Sequence, residues 1–350
     1  MTDTARQPAT ERRYWPTDGW REAFPEDHGL DSKQLNAARD HLSVHVPHMD
    51  SLLVVRGGYL VFEHYDRGDA RTLRNVKSVT KSVTSALIGI ALSTGDLDSI
   101  DELIGHLLPE TFATVDDRRK RDITLRDLLT MRSGLEWAEY GADTVQMTTS
   151  PNWVQYVLGH ALIRTPGTEF NYSTGDTQLL AAVLGKQTEM SALDYADLYL
   201  FGPLGITQRT WPADPQGINV GGAELALTSR DMAKFGYLYL NRGVWDGAQI
   251  IPATWIDESH VYHTMFDPAS GAECDVLGYG FLWWLRPQGD ADSAIAVGFG
   301  GQFVYVIPAL DMVVVMTGRL GNVPEAFRDN RMLCQFNLVE DFIVPAVQEA

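Results

Sequence analysis

The chain has 350 residues, 45% of them hydrophobic and 21% charged, which is enough apolar material for a large packed core and too evenly mixed for extended disorder. A net charge of -18 at pH 7 repels phosphate and argues against nucleic acid as a partner. No apolar run reaches the roughly 18 residues of a membrane helix, none at the N-terminus has signal-peptide length, and Cys274 and Cys334 are the only cysteines, so a soluble cytoplasmic protein is expected.

In chain order, residues 1–20 read as a loose polar leader. Two β-rich runs in Asp50–Tyr65 flank Arg56-Gly57-Gly58, a hairpin signal. From Ser78 to about Thr94 the residues Val79, Val83, Ala86, Leu87, Ile90 and Ala91 repeat at helical spacing. Ile88 and Leu92 make the helix apolar nearly all round, which suits the centre of a large protein, and Gly95 ends it.

A helical region follows. Thr124–Asp127, Ser191–Asp194 and Thr228–Asp231 resemble capping boxes, with Asp in place of Glu or Gln. Ser150 with Pro151 marks another helix start, and one more helix begins near Asp176. Strand signals return in Tyr279–Leu285, Ser293–Phe299, Phe303–Pro308 and Met312–Gly318, and a terminal helix is expected from about Pro324. Strands at both ends with helices between predict one sheet assembled from distant parts of the chain. The expected division is a sheet lobe of residues 21–115 and 271–350 and a helical lobe of residues 116–270.

Three stretches carry chemistry. In NVKSVTKSV, Ser78 and Lys81 stand three apart, so on a helix they are neighbours. A lysine buried among these apolar residues has a lowered pKa and can take the serine proton, and a serine at a helix start gains an N–H for an oxyanion. The plainer reading is a serine near a helix start beside a lysine that reaches out to water. In PGTEFNYSTGD, Tyr172 lies in a polar loop. It is either a core or rim aromatic or a phenol that shuttles protons, with a pKa expected to fall beside an ammonium. In AVGFGGQFVYV, Gly298, Gly300 and Gly301 interrupt a strand, either as a simple turn or as a docking edge with a second oxyanion donor.

The order of these stretches resembles the serine β-lactamase and penicillin-binding superfamily. The resemblance is to the branch of class C β-lactamases, carboxylesterases and 6-aminohexanoate-dimer (nylon oligomer) hydrolases, and it runs from about Asp50 to Gly318. Ile123–Trp137, Phe201–Ile206 and Gly221–Trp255 are similar to that family as well. The resemblance implies an α+β fold: a central antiparallel β-sheet flanked by helices, with a mainly helical inserted lobe. It implies Ser78 as acylated nucleophile, Lys81 as its partner and Tyr172 as proton shuttle. The N–H groups of Ser78 and Gln302 would form the oxyanion hole, and Phe299-Gly300-Gly301 would replace Lys-Thr-Gly or His-x-Gly. Thr174 stands where the family's Tyr-x-Asn has Asn, and Phe299 stands where many members have a carboxylate-binding cation. Both departures weigh against β-lactam turnover and D-alanyl carboxypeptidase activity. Trp137 and Tyr140 are alternative candidates for an aromatic that closes over substrate. Asn219 and Asp143 are candidates to meet a substrate amine.

The nine histidines show no metal-ligand spacing with acidic partners, and no Gly-x-Ser-x-Gly elbow supports a Ser-His-Asp triad. Asp116–Asp122 reads as a solvated mixed-charge loop. The expected activity is therefore two-step hydrolysis of an ester or short linear amide with no cofactor or metal. Its rivals are a β-lactamase or D-amino-acid peptidase, and a non-catalytic ligand-binding member of the fold. The expected partners are a small ester or amide substrate and, if the chain self-associates, a homodimer mate, with no nucleic acid and no membrane.

Overall fold

The computed structural model describes residues 12–46, 48–266, 278–288, 291–319 and 338–348. Helix α1 (Ser32–His45) starts at Asp31, whose carboxylate accepts from Lys33 N. Strands β1 (Met49–Arg56) and β2 (Tyr59–Tyr65) form the expected hairpin. Its turn residues Gly57 and Gly58 have φ of 59° and 86°, the left-handed values of a tight two-residue turn. The short strand β3 (Arg74–Asn75) leads into α2 (Val79–Thr94), which stops at Gly95 with φ 82°.

Helices α3 (Ile104–Leu107), α4 (Leu125–Leu129), α5 (Asp143–Thr149), α6 (Trp153–Gly159), α7 (Thr174–Thr188) and α8 (Ala192–Ala196) come next. Thr124 makes the full capping box with Asp127, and Ser191 and Thr228 accept from the N–H groups of Asp194 and Asp231. Strands β4 (Arg209–Thr210) and β5 (Ala226–Leu227) join β3 in a small sheet. Helix α9 (Ser229–Leu240), the ribbon of β6 (Val244–Trp245) and β7 (Ala248–Gln249), and α10 (Ala253–Ser259) complete this part.

The main sheet closes with β8 (Thr264–Met265), β9 (Gly278–Tyr279), β10 (Trp284–Gln288), β11 (Ala291–Gly298), β12 (Gln302–Ile307) and β13 (Met312–Gly318). Its order is β2-β1-β13-β12-β11-β10-β9-β8, antiparallel throughout. Strand β1 pairs with β13, so the two ends of the chain meet in one sheet as expected. Alternation sorts the side chains. Leu53, Val55, Val304, Val306, Val313 and Val315 share a core with α2 and α9, while Leu52, Val54, Phe303, Tyr305, Val314 and Met316 share one with α1 and residues 338–346. Cover on both faces explains why these strands read as continuous apolar runs. At Gly236 of α9 an added Cβ would lie 2.7 Å from Val304 and Val313, so the glycine sets how closely that helix approaches the sheet.

Four expectations change. The cap of α6 is Asn152, accepting from Gln155 N at 3.0 Å. A polar side chain reaches that N–H from Asn152, and Pro151 falls before the helix. The run Tyr279–Leu285 is two strands, because Leu282 takes φ 61° and donates its N–H to Leu129 O at 3.1 Å, turning the chain so that Trp284 pairs with Tyr279. Residues 12–20 are not loose: Trp20 is buried with Nε1 donating to Arg230 O at 3.0 Å, and Arg12 pairs with Asp311 at 2.5 Å. In the charged run, Lys120 is buried and donates to Leu158 O at 2.6 Å, so only part of that loop is solvated. Most of the helix expected from Pro324, and both cysteines, lie outside the described residues.

Candidate active site

Ser78 sits at the bend from β3 into α2. Val76 N donates to Leu225 O at 2.8 Å, which extends the β3–β5 pairing up to the residue before the bend. Lys77 then takes φ 49°, a left-handed conformation that costs a non-glycine residue about 1–2 kcal/mol. Its Nζ donates to Glu224 Oε1 at 2.6 Å, and Asn75 donates to Glu224 Oε2 at 2.6 Å, so the bend is clamped from outside. On the inner side Gly298 of β11 leaves room for it: a Cβ there would stand 2.2 Å from Val76 O and 3.2 Å from Lys77 Cβ. Ser78 is half-buried, whereas every residue of α2 from Val79 to Ala91 is buried.

One turn on, Lys81 is therefore inside the protein. Its Nζ lies 3.2 Å from Ser78 Oγ, 2.8 Å from Thr174 Oγ1 and 3.0 Å from Gly222 O. Burial pushes its pKa down to about 8, against the opposing pull of Glu139 and Asp176. At that value roughly one lysine in ten is neutral at pH 7, a usable supply of base.

The Tyr172 hydroxyl is near enough to that of Ser78 to interact with it, and the Tyr172 ring centre is 4.9 Å from Lys81 Nζ. The loop carrying it is pinned by Asn171, whose N–H donates to Met131 O at 2.8 Å and whose amide donates to Trp137 O at 3.1 Å. The expectation of a lowered phenol pKa is overturned. Burial, then Tyr279 and Glu139, hold it well above 10, and the nearby Ser78 hydroxyl only partly offsets them. Tyr172 thus stays protonated at neutral pH, while the Lys81 pKa is the one brought down toward it.

Two carboxylates that sequence reasoning passed over complete the cluster. Glu139 accepts from Trp137 Nε1 at 2.7 Å, Thr174 N at 2.8 Å and Thr174 Oγ1 at 2.5 Å. Asp176, read only as a helix start, is fully buried, accepts from Ser133 Oγ at 2.8 Å, and has its pKa raised to about 7 by burial. The faint signal for Glu139 was its place in the same short loop as Trp137 and Tyr140.

Of the other candidates, Tyr140 is 71% exposed, and its phenol is near enough to Tyr172 to help raise that pKa. Trp137 is buried, 3.0 Å from where a Cβ on Gly175 would stand and edge-on to His160, and its Nε1 braces Glu139. Asn219 lines a separate cavity of about 770 Å³ against α7 and α8, and both ends of its amide are engaged by Trp211 O at 2.7 Å and Leu193 N at 3.0 Å. Asp143 accepts from Ala138 N at 2.7 Å and closes its own loop. Phe299-Gly300-Gly301 form the β11–β12 turn, with φ of 79° and 88° at the glycines. The Gln302 side chain staples that turn by donating to Gly318 O at 2.8 Å. Among the described residues no group of three His, Cys, Asp or Glu is placed to hold a metal.

A family model described as Beta-lactamase matches residues 38–333. The chain belongs to the beta-lactamase family. It is 23% identical over 285 residues to the 6-aminohexanoate-dimer hydrolase of Paenarthrobacter ureafaciens, covering 76% of this chain and 71% of that one. The structure named "Putative 6-aminohexanoate-dimer hydrolase from Bacillus anthracis" superposes with a TM-score of 0.75 at 20% identity, over 96% of this chain and 88% of that one. A class C beta-lactamase mutant superposes with a TM-score of 0.65 at 16% identity, over 89% and 98%. The fold is thus the β-lactamase/transpeptidase-like one, and the family is one of serine hydrolases.

Proposed function

We propose that the chain hydrolyses esters or short linear amides through an acyl-enzyme on Ser78. The observation that carries this reading is the Lys81 amine 3.2 Å from the Ser78 hydroxyl, with the Tyr172 ring 4.9 Å from the same amine. Ser78 attacks the substrate carbonyl as its proton passes to Lys81, and the oxyanion rests on the N–H groups of Ser78 and Gln302. Tyr172 gives its proton to the leaving oxygen or nitrogen, and the phenolate recovers one from the Lys81 ammonium. Water then releases the acyl group by the same steps reversed.

Esters are the first substrates expected, because alcohols leave more readily than amines. Tyr140, Phe299, Gly300 and Gly301 would line the approach, and an apolar Phe299 favours substrates without a carboxylate at that point. A content of only two cysteines supports a reducing, cytoplasmic location. The test is hydrolysis of p-nitrophenyl acetate by wild type and Ser78→Ala, with mass detection of acylated Ser78. Equal rates from both proteins, or no rate from either on a panel of esters and linear amides, sink the reading. Faster turnover of nitrocefin than of esters moves it to a β-lactamase.

A further inference from the structure

We propose that Glu139 is a positioning residue for this reaction, acting through the Thr174 hydroxyl to aim the Lys81 lone pair at Ser78 and to stabilise the ammonium formed during acylation. The inference rests on the Ser78/Lys81 reading above.

A neutral amine has two N–H bonds and one lone pair. Around Lys81 Nζ stand three oxygens: Thr174 Oγ1 at 2.8 Å, Gly222 O at 3.0 Å and Ser78 Oγ at 3.2 Å. The Gly222 carbonyl can only accept. If Thr174 also accepts, both amine hydrogens are used and the lone pair is left facing the serine proton. A threonine hydroxyl can equally well donate, however, and would then occupy that lone pair. Glu139 removes the ambiguity. Its Oε1 lies 2.5 Å from Thr174 Oγ1 and takes the hydroxyl's only proton, so the threonine can present only lone pairs to Lys81.

Glu139 is itself fixed. Its Oε2 accepts from Trp137 Nε1 at 2.7 Å and from Thr174 N at 2.8 Å, and Thr174 N belongs to the first turn of α7, where the helix dipole favours a negative charge. An asparagine in place of Thr174 would offer a carbonyl oxygen, an acceptor by nature. Threonine needs an acid behind it, and the fold supplies one. The same carboxylate then faces the positive charge that Lys81 gains when Ser78 is acylated. The other charged or titratable groups acting on this pocket are Asp176 on α7 and the phenols of Tyr172, Tyr279 and Tyr140.

The test is the pH profile of kcat/KM for a p-nitrophenyl ester with wild type, Glu139→Gln, Glu139→Asp, Thr174→Val, Thr174→Ser and the double variant Glu139→Gln/Thr174→Val, beside Ser78→Ala. Glu139→Gln is expected to lower kcat/KM about tenfold or more, chiefly through kcat. It is also expected to move the acid limb to lower pH, since the charge that favours the Lys81 ammonium is gone. Thr174→Val should lower kcat/KM likewise but, because it keeps the Glu139 charge and takes only an acceptor from the ammonium, move the limb the same way by less, and the double variant should be no worse than the weaker single one, because both changes break one link. Glu139→Asp and Thr174→Ser should recover part of the loss. Thr174→Val carries the full test if Glu139→Gln does not fold. An unmoved acid limb, or losses that multiply in the double variant, overturns the proposal while leaving the serine mechanism intact. Full activity in Ser78→Ala overturns the mechanism and the proposal with it.

Discussion

Tyr172 lies against Trp284 with ring centroids 5.6 Å apart and planes inclined by 29°. The indole opens β10 and is itself wedged by Tyr279 at 4.9 Å and Phe266 at 5.9 Å. A loop phenol is thereby held by the edge of the sheet. Trp284→Ala is expected to cost about 3 kcal/mol of stability, the low end for an aromatic, since it is only partly buried. It should also lower kcat about tenfold as the phenol loses its seat. Tyr172→Phe keeps the stack and removes the proton. Its rate loss should be larger on an anilide than on the matched ester, because the amine must be protonated to leave. Urea unfolding and steady-state kinetics on the ester–anilide pair check both, and equal losses on the two substrates would dismiss Tyr172 as the acid.

Lys81 acts as a base only when neutral, and its pKa is pushed down to about 8. The group must lose a proton to work, so kcat/KM should climb with pH, about tenfold per unit below 8, and level off above it. Asp176, raised to about 7, adds its charge in the same range, so the limb belongs to the coupled pair rather than to one residue. A profile from pH 5.5 to 10 with an uncharged ester checks this. A limb near 10 would mean that Lys81 is not relieved of its charge by burial.

How much of this was visible beforehand depends on sequence distance. Ser78 and Lys81 could be paired because helical spacing alone makes them neighbours, and Gly57-Gly58 and Thr124, Ser191 and Thr228 announce their turns and caps locally. Glu139 was missed because its meaning lies in Thr174, 35 residues away, and a loop glutamate otherwise reads as solvated. The direction of the Tyr172 shift was misjudged for the same reason: the rings that bury it, Tyr279 and Trp284, come from strands more than 100 residues later. Trp137 and Tyr140 could not be separated until the fold buried one and exposed the other. The break within Tyr279–Leu285 rests on Leu282 in a left-handed conformation, which no residue preference foretells.

Gly298 offers a test of how finely the Ser78 bend is set. A methyl group there meets Val76 O at 2.2 Å, and a backbone oxygen cannot swing away as a side-chain end can. Gly298→Ala must displace the segment that carries Lys77 and Ser78 by a large part of an ångström. Overpacking of this kind costs about 1–3 kcal/mol, whereas a misplacement of about 1 Å at a nucleophile costs roughly a hundredfold in rate. The expected variant is folded, moderately destabilised and nearly inactive in single-turnover acylation. Acylation at the wild-type rate would show that the bend does not govern the chemistry.

Asp176 ties the stability of the fold to pH. Its carboxyl is fully buried and its pKa is raised to about 7, from an unfolded value near 4. The native state therefore holds this proton more tightly than the unfolded chain does. The stability it contributes is complete below about pH 4 and is lost as pH rises to about 7, a change of order 4 kcal/mol if nothing compensates. Asp176→Asn cannot ionise, yet its amide oxygen can still accept from Ser133. Relative to wild type, this variant should gain stability steadily between about pH 4 and 7 and gain no more above that. Comparing the two proteins removes the other carboxylates, which titrate alike in both. Urea unfolding of each at pH 4.5, 6 and 7.5 measures the difference directly, and a gap that does not change with pH would mean that Asp176 is already ionised in the folded protein at the lowest of these values.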